Sequence, residues 1–518
     1  MKPSLLTYLL MSVLFIIAQP AKSQRYLRKG DNAFEREQYQ TAINHYKKQF
    51  ERSDKSRKTR AEVSYKAAKA YLKISEPEKA LIQFKKAERY NYDDHSMYFD
   101  MADAYLQHEE FDSALMALET YEDLHPNDPK ADAKKRQIHK TLEMLENPSN
   151  TNVKLAAILN SGELDFCPFY GYKDYEKIFF TSSRSVLDDP DINMESGELF
   201  TDIYEAEKNR DGQWTLPRKS LGSVNTEFDE GAASLNRRYN VLYFSRCEYD
   251  PGADRACRIY KAKRRSIYWA DVEEVIIPGI PKGISIGHPA ISDDECTLYF
   301  VVDSMLGGYG GKDIYKVTRE RKSRAWSAPQ NLGPDINTDK DDCFPYLRKN
   351  GLLYFASDGH NSMGGLDIFE AENNGPASWD VRNLGSPMNS PADDFGIVFR
   401  DDKAEGFFTS RRRGGVGKSD IYHFERQGIE ASVSGTVYDK MTNKTVEDVR
   451  VELCDQDGNV IESMKSDSSG NYNFTLKKNK IYQIYFRLQP YIPASQRIST
   501  NKLIKSKTFN KDVFLEIR

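Results

Sequence analysis

The sequence predicts a multidomain protein that is helical first and β-structured afterwards. Alanines recur in phase between residues 24 and 147, a stretch that contains no tryptophan. Between residues 150 and 428 an aromatic strand pattern recurs about every 54 residues, and short alternating strands with glycine turns follow from residue 430. At roughly 150 residues per domain, a 518-residue chain has room for about three domains.

Composition narrows the class of protein before any motif is considered. The chain carries 74 basic and 78 acidic residues, a net charge of −4, so the strongly basic balance of a nucleic-acid binder is missing. Residues 151–429 alone carry 35 basic and 44 acidic residues, which argues against nucleic acid or lipopolysaccharide as a ligand of that region, apart from local patches such as Arg411, Arg412 and Arg413.

Residues 1–23 match a secretory signal peptide. A basic start precedes the apolar run Leu5 to Ala18, and Ala21-Lys22-Ser23 provides small residues for cleavage before Gln24. An uncleaved anchor is the alternative, but the run is shorter than the ~20 residues a spanning helix needs. We therefore expect a periplasmic protein, in part associated with the outer membrane.

Residues 24–147 resemble tetratricopeptide repeats. Ala42, Ala80 and Ala114 align with spacings of 38 and 34 residues, and Ala68 aligns with Ala102. Small residues at such spacing let paired helices pack closely. About three repeats are expected, with residues 129–146 as a polar capping helix.

Residues 150–428 predict a β-propeller of the PD40/WD40-like type. A strand with an aromatic pair near its middle recurs at 177–183, 241–247, 297–303, 352–358 and 406–412. Each copy precedes a second strand marked by an aromatic residue, namely Tyr204, Tyr260, Tyr315, Phe369 and Tyr422. Leu155 to Asp165 matches the blade end at 383–394, which predicts that the N-terminal segment completes the last blade. Five blades are expected, and six is the alternative.

Residues 430–518 predict a small β-sandwich. Alternating strands within 433–444, 449–453, 466–474 and 482–486 are separated by glycine turns. This region resembles the carboxypeptidase regulatory-like, transthyretin-like module, which in that family is not itself catalytic.

The order of these regions is similar to that of PorE-like envelope proteins of type IX secretion and their OmpA-family relatives. The resemblance implies envelope or secretion-system proteins as partners. Those relatives continue into an OmpA-like domain, which this sequence does not include, so peptidoglycan binding is not expected.

No catalytic site or cofactor is expected from the motifs. Gly283-Ile284-Ser285-Ile286-Gly287 has the spacing of a hydrolase nucleophile, but it precedes a strand rather than a helix. The run from Gly307 to Lys312 resembles a phosphate loop, but related glycine turns recur in other blades. Cysteines and histidines do not cluster as metal ligands. Cys247 and Cys257 flank a turn and form a candidate disulfide.

We therefore expect a non-catalytic scaffold that docks proteins in the envelope. A glycan-binding or glycan-active propeller is the alternative. The concave face of the helical repeats is the expected docking surface, and its candidate residues are Asp31, Glu35, Tyr65, Lys69, Lys73, Phe99, Asp103 and Gln107. In the alternative interpretation, Tyr65 and Phe99 pack inside the helix pairs.

Overall fold

The structure is a computed structural model. It describes residues 24–53, 55–184, 192, 199–248, 256–305, 307–321, 323, 325–375, 378–401, 403–428, 430–501, 503 and 506–518. The expected signal peptide, residues 1–23, lies outside this range. No helix in the described part is both long enough and apolar enough to cross a membrane. The chain forms two compact units, one holding the helices and residues 153–424, the other holding residues 147–152 and 425–518.

Helices form the first part of the chain, as predicted. They are α1 (Arg25–Glu35), α2 (Tyr39–Glu51), α3 (Arg57–Lys73), α4 (Pro77–Arg89), α5 (Met97–Gln107), α6 (Phe111–Leu124) and α7 (Pro129–Glu146). The aligned alanines, Ala42, Ala80 and Ala114, are completely buried where neighbouring helices meet. Gly30 has the same role, because a Cβ atom there would lie 2.4 Å from Cε1 of Tyr46. Small residues therefore set the close approach of the helices.

Five four-stranded antiparallel sheets follow the helices in the part of the chain that the structure describes. Sheet 1 contains β2 (Asp165–Tyr170), β3 (Lys177–Ser182), β4 (Asp202–Glu207) and β5 (Arg218–Lys219). Sheet 2 contains β6 (Asp229–Leu235), β7 (Val241–Glu248), β8 (Ala256–Arg265) and β9 (Tyr268–Glu274). Sheet 3 contains β10 (Ile286–Ile291), β11 (Thr297–Asp303), β12 (Lys312–Thr318) and β13 (Gln330–Asn331). Sheet 4 contains β14 (Asp342–Leu347), β15 (Leu353–Ser357), β16 (Asp367–Gly375) and β17 (Ser378–Asn383). Sheet 5 contains β18 (Asp394–Phe399), β19 (Glu405–Ser410), β20 (Asp420–Arg426) and β1 (Thr151–Leu155).

The five sheets form a closed ring. The first strand of each sheet contacts the first strand of the next, and β18 of sheet 5 contacts β2 of sheet 1. Strand β1 comes from the N-terminal end of the ring and lies beside β20, so the last sheet is completed by the earliest strand. This pairing occupies the edge of β20, which would otherwise be unpaired.

An asparagine clamp repeats in four of the sheets. In sheet 5, the backbone N–H of Ile421 donates to Oδ1 of Asn160 at 2.8 Å, and Nδ2 of Asn160 donates to the Ile421 carbonyl at 3.0 Å. The same pair of bonds joins Asn225 to Ile203, Asn337 to Ile314 and Asn389 to Ile368. Each clamp fixes the third strand of a sheet to the segment that follows or closes it.

The helices rest on one side of the ring. Oγ of Ser75 donates to Oδ2 of Asp393 at 2.6 Å, and Nη1 of Arg411 donates to the carbonyl of Ile74 at 3.1 Å. On α7, Oγ1 of Thr141 donates to the Met363 carbonyl at 2.9 Å. These ring residues lie where first strands begin or where second strands lead into third strands. The helices therefore cover the end of the ring at which the first strands start.

The second unit contains two further sheets around one core. Its strands are β21 (Ala431–Asp439), β22 (Arg450–Cys454), β23 (Val460–Lys465), β24 (Asn471–Leu476), β25 (Ile481–Arg487), β26 (Ala494–Ser499), β27 (Lys507–Asn510) and β28 (Val513–Leu515). One sheet has the order β24-β21-β27, with β28 also paired to β21, and the other has the order β23-β22-β25-β26. Val437, Val451 and Ile484 are completely buried between them.

A candidate ligand-binding cavity

One residue in the first strand of each sheet has a left-handed backbone conformation. These residues are Cys167, Ala232, His288, Phe344 and Gly396, with φ between 42° and 61°. The pairing register of the first strand with the second shifts at the same place in every sheet. Each first strand therefore carries a β-bulge at an equivalent position facing the centre of the ring.

Four of the bulges, those in sheets 1 to 4, bond their sheet to a neighbouring one. The backbone N–H of Cys167 donates to Thr409, that of Ala232 to Thr181 and that of His288 to Ser245, each through the side-chain hydroxyl at 2.9–3.0 Å. Val301 occupies the corresponding position in sheet 3 and has no hydroxyl. There the N–H of Phe344 donates instead to Nδ1 of His288, at 3.3 Å.

Aromatic rings close the centre of the ring between the two ends. The imidazole of His288 stacks on Phe344 with centroids 3.9 Å apart, and Phe344 stacks on Phe395 at 4.6 Å. Phe166 lies 6.2 Å from Phe395. Burial, with a smaller contribution from Lys312, lowers the pKa of His288 to about 3, so this imidazole is neutral at physiological pH.

A cavity of about 890 Å³ opens beyond these rings, away from the helices. It is lined by all five sheets, through the ends of their first strands and the turns into their second strands. In an antiparallel sheet these turns lie at the end opposite to the starts of the first strands, where the helices sit. His288 and Phe344 belong to the lining and form part of its floor.

The cavity wall combines tyrosines with charged side chains. Tyr170, Tyr175, Tyr239 and Tyr346 line it, and burial, with a smaller contribution from Tyr239, raises the pKa of Tyr175. Its basic residues are Lys173, Arg237, Arg238, Arg319, Arg321, Arg348 and Lys349, and its acidic residues are Asp293, Asp294, Glu295 and Asp401. The size lies within the ~300–1,000 Å³ typical of ligand pockets, and the mixture suits a ligand with both apolar faces and polar groups.

Buried carboxylates at the opposite end of the first strands serve the sheets themselves. Glu230 accepts bonds from the Thr226 N–H at 2.9 Å and from Nε of Arg246 at 2.8 Å. Asp394 likewise accepts from the Ser390 N–H and from Arg412, both at 2.6 Å. Burial nevertheless raises the pKa of Glu230 to about 7, while Thr226 and Arg246 oppose that shift. The repetition of this arrangement identifies these acids as parts of the sheet framework.

The residues proposed for the concave face of the helices are only partly available. Tyr65 is buried, stacks on Tyr92 at 4.4 Å and donates its hydroxyl to Oδ2 of Asp100 at 2.8 Å. Phe99 is half-buried, 5.5 Å from Tyr121. The two rings therefore pack within the helices, as the alternative interpretation had it, because each meets an aromatic partner on a neighbouring segment.

The charged candidates divide into engaged and exposed side chains. Asp31 accepts from Nζ of Lys66 at 2.9 Å and from Tyr46 at 3.0 Å, and Asp103 pairs with Lys134 at 2.5 Å.

Lys69 is exposed, with its Nζ 3.7 Å from Asp100. Gln107 is half-buried, whereas Glu35 and Lys73 are exposed. Only Glu35, Lys69 and Lys73 therefore present a largely open side chain.

The remaining sequence motifs have structural positions. Cys247 and Cys257 lie opposite each other on β7 and β8, and a disulfide joins them. Ser285 accepts the backbone N–H of Cys257 at 3.1 Å and is followed by strand β10. In the glycine run, Asp313 accepts the N–H groups of Tyr309 and Gly310 at 2.7 and 3.2 Å. The described residues include no group of three or more side chains suited to a metal ion.

The known proteins to which this chain is similar are solved structures. No family model matches the sequence, and no curated protein sequence matches it either. The helical part is similar to the first tetratricopeptide repeat domain of Spaghetti (RPAP3) bound to an HSP90 peptide, with 23% identity over 23% of this chain and 95% of that chain, at a TM-score of 0.22. The β part is similar to a thermostable family-43 glycoside hydrolase, with 15% identity over 51% and 89% of the two chains, at 0.34. It is also similar to an endo-arabinase from Bacteroides thetaiotaomicron, with 13% identity over 52% and 98%, at 0.33.

Solved structures similar to the helical part include tetratricopeptide repeat domains. Those similar to the β part include glycoside hydrolases, against the sequence-based prediction that the chain is not an enzyme. At identities of 10–15%, these similarities transfer neither an activity nor a substrate to this chain.

Proposed function

We propose that this protein binds a glycan in the cavity, and that the ring of sheets is a five-bladed β-propeller. The observation that carries the proposal is the 890 Å³ cavity with tyrosines and charged side chains on its wall. A sugar ring presents apolar C–H faces and hydroxyl groups together. Aromatic rings cover the former, while guanidinium and carboxylate groups bond the latter.

The helices favour a single entrance to this site. They cover the other end of the ring through Ser75, Arg411 and Thr141, and the stacked rings of His288 and Phe344 close the centre. A ligand that reaches the cavity therefore approaches from the turns between first and second strands. These turns carry Arg237 and Arg238 in sheet 2 and Lys349 in sheet 4.

A glycan array with neutral and acidic oligosaccharides tests this function. The full-length protein should bind at least one class of glycan on the array. Calorimetry with the selected glycan should give a saturable isotherm. Tyr239→Ala should weaken that binding two- to tenfold, because a lost aromatic contact costs about 0.5–1.5 kcal/mol. Tyr309→Ala is the matched control, since Tyr309 is an exposed tyrosine of the ring outside the cavity. The proposal would be refuted if the protein bound no glycan on the array, or if Tyr239→Ala and Tyr309→Ala had equal effects on binding.

Cleavage of the bound glycan is the second candidate. Glycoside hydrolysis uses two carboxyl groups on either side of the scissile bond. Asp293 on the turn after β10 and Asp401 on the turn after β18 line the same cavity, and the ion pair with Asp401 raises the pKa of Lys349, with a smaller effect of Asp293. Product analysis of the array ligand distinguishes the two candidates. If Asp293→Asn abolishes product release but retains binding, the protein acts on the glycan; if wild type releases no product, it binds only.

We also propose that the helices dock an exported protein partner, following the resemblance to envelope proteins of type IX secretion. Lys69 and Lys73 are exposed on α3 and support this role. Reversing both charges should weaken recovery of envelope partners by co-purification, whereas reversal of the exposed Lys47 and Lys48 on α2 should not. Equal recovery with either variant would remove α3 from the docking surface.

The proposed location is the periplasm, with Gln24 as the first residue of the mature chain. The support is the apolar run from Leu5 to Ala18 followed by Ala21-Lys22-Ser23. Fractionation and N-terminal sequencing test it. Retention of Met1 in a cytosolic fraction would contradict it.

A further inference from the structure

The cavity wall has the opposite charge to the region that contains it. Residues 151–429 carry nine more acidic than basic residues, yet the cavity lining holds seven basic residues and four acidic ones. The basic residues are Lys173, Arg237, Arg238, Arg319, Arg321, Arg348 and Lys349. Such a local reversal concentrates positive potential in a concave, partly desolvated site.

Most of the acidic residues in the lining are engaged by the protein itself. Asp401 forms an ion pair with Lys349. Asp294 accepts from Oγ of Ser292 at 2.6 Å and from the Cys296 N–H at 2.9 Å, and Glu295 accepts from Nδ2 of Asn236 at 3.0 Å. These carboxylates are thus held in turns of the fold.

Two arginines on the wall are oriented by carbonyls and rings, and neither forms an ion pair with a carboxylate of the described residues. Nε of Arg319 donates to the Glu295 carbonyl at 2.8 Å, and its guanidinium lies 4.3 Å from the ring centroid of Trp326. Nη2 of Arg348 donates to the Lys403 carbonyl at 2.8 Å, its guanidinium stacks 4.2 Å from Phe399, and its buried Nε bonds no partner among the described atoms. Carbonyls and rings orient a guanidinium without cancelling its charge.

Three more cations stand at the mouth. Lys173, Arg237 and Arg238 are exposed, and none of them makes an ion pair within the described parts of the chain. Arg237 and Arg238 belong to the turn from β6 to β7, while Lys173 belongs to the turn from β2 to β3. The mouth therefore adds exposed positive charge to the charge of the wall.

We infer that the cavity selects acidic glycans, meaning sugar chains that carry carboxylate or sulfate groups. This inference rests on the proposed glycan-binding function and names its ligand class. Arginine forks bond both acidic groups through paired N–H donors, and the tyrosines remain available for the sugar faces. The net acidity of the whole region does not oppose such a ligand, because the cavity is where positive charge is concentrated.

Titration of the full-length protein with hexasaccharides of equal length tests the inference. The probes are hexagalacturonate, a chondroitin sulfate hexasaccharide and neutral xylohexaose, in 50 mM and 300 mM NaCl. The acidic class should bind at least tenfold more tightly than xylohexaose, and added salt should weaken it by screening. Arg237→Ala with Arg238→Ala should weaken binding of the acidic probe about tenfold. Lys282→Ala with Arg413→Ala removes two exposed charges of the ring outside the cavity and should leave the affinity unchanged.

The outcomes distinguish failure of the acidic-glycan inference from failure of the proposed glycan-binding function. Equal or tighter binding of xylohexaose, still weakened by Tyr239→Ala, overturns the acidic class and leaves the glycan site in place. An acidic probe that binds equally to wild type and the Arg237/Arg238 variant also overturns it. If the probes and the glycan array all fail to bind, both proposals fall. Preference for hexagalacturonate or for chondroitin sulfate identifies which acidic group the arginines contact.

Discussion

His288 and Phe344 are joined in two ways at the centre of the ring. Their rings stack with centroids 3.9 Å apart and planes 10° from parallel, and the Phe344 backbone N–H donates to Nδ1 of His288 at 3.3 Å. For the bulges of sheets 1, 2 and 3, a serine or threonine hydroxyl accepts the equivalent bond. The histidine therefore takes over a structural hydrogen bond and also forms the floor of the proposed site.

This relationship predicts a pH effect on stability. Burial lowers the pKa of His288 to about 3 from its ordinary value of 6.5, so below pH 6.5 the unfolded chain takes up a proton that the folded protein does not. The contribution of His288 to the free energy of unfolding is therefore complete above pH 6.5 and declines as the pH falls toward 3. Thermal melts at pH 7, 5.5 and 4.5 should show a stability difference between wild type and His288→Asn that shrinks with falling pH.

The exposed histidine on α7 provides the control for that experiment. His139→Asn should melt in parallel with wild type at every pH, because His139 lies on the surface. A constant offset between wild type and His288→Asn across the pH range would show that His288 is not a buried neutral imidazole.

Closure of the ring predicts a large effect of Asn160→Ala. The substitution removes both bonds to Ile421 and leaves its N–H and carbonyl without their partner. Loss of buried hydrogen-bond partners costs about 1–3 kcal/mol each, so urea denaturation should show a lower free energy of unfolding by that order. Asn32→Ala, at an exposed position of α1, should change it by less than about 0.5 kcal/mol. Equal stability of both variants would contradict the clamp.

The buried hydroxyl of Tyr65 predicts a cost for its removal. Tyr65→Phe keeps the ring on Tyr92 but takes the donor from Asp100, whose pKa burial already raises. We expect a loss of about 1–2 kcal/mol in the free energy of unfolding, measured in urea. Tyr98→Phe removes an exposed bond to Glu88 and should cost little. If the Tyr65 and Tyr98 changes cost the same, Tyr65 is not held as described.

The disulfide between Cys247 and Cys257 predicts sensitivity to reductant. Their sequence separation is 10 residues, and closing so short a loop stabilises a protein by roughly 2–3 kcal/mol. Dithiothreitol should lower the melting temperature of wild type to that of Cys247→Ala with Cys257→Ala, and should not lower the variant further. Cys296→Ser, which changes a free cysteine, should retain the wild-type response. No response of wild type would contradict the bond.

The order of helices followed by β-structure could be predicted because packing repeats in sequence. Ala42, Ala80 and Ala114 recur where helices touch, and the aromatic strands recur where sheets stack. The match of Leu155–Asp165 to residues 383–394 also has a physical basis, because Asn160 and Asn389 make the same clamp in sheets 5 and 4.

The cavity could not be predicted from the same signals. Its lining comes from turns of five different sheets, and these turn residues carry no shared pattern because no common packing contact constrains them. Arg237 and Arg238 are two adjacent basic residues within a region of net negative charge, so the composition of that region does not reveal them. The sequence predicts Tyr65 at the surface, because its partner Asp100 lies 35 residues away and helical phase does not reveal the bond between them.

A crystal structure of the full-length protein with the glycan selected on the array tests the central claim most directly. The account predicts the sugar in the cavity of the ring, with a pyranose ring against Tyr239 and an acidic group bonded by Arg237, Arg238 or Arg348. Glycan bound on the helices or on another face of the ring, with this cavity holding only water, would contradict it.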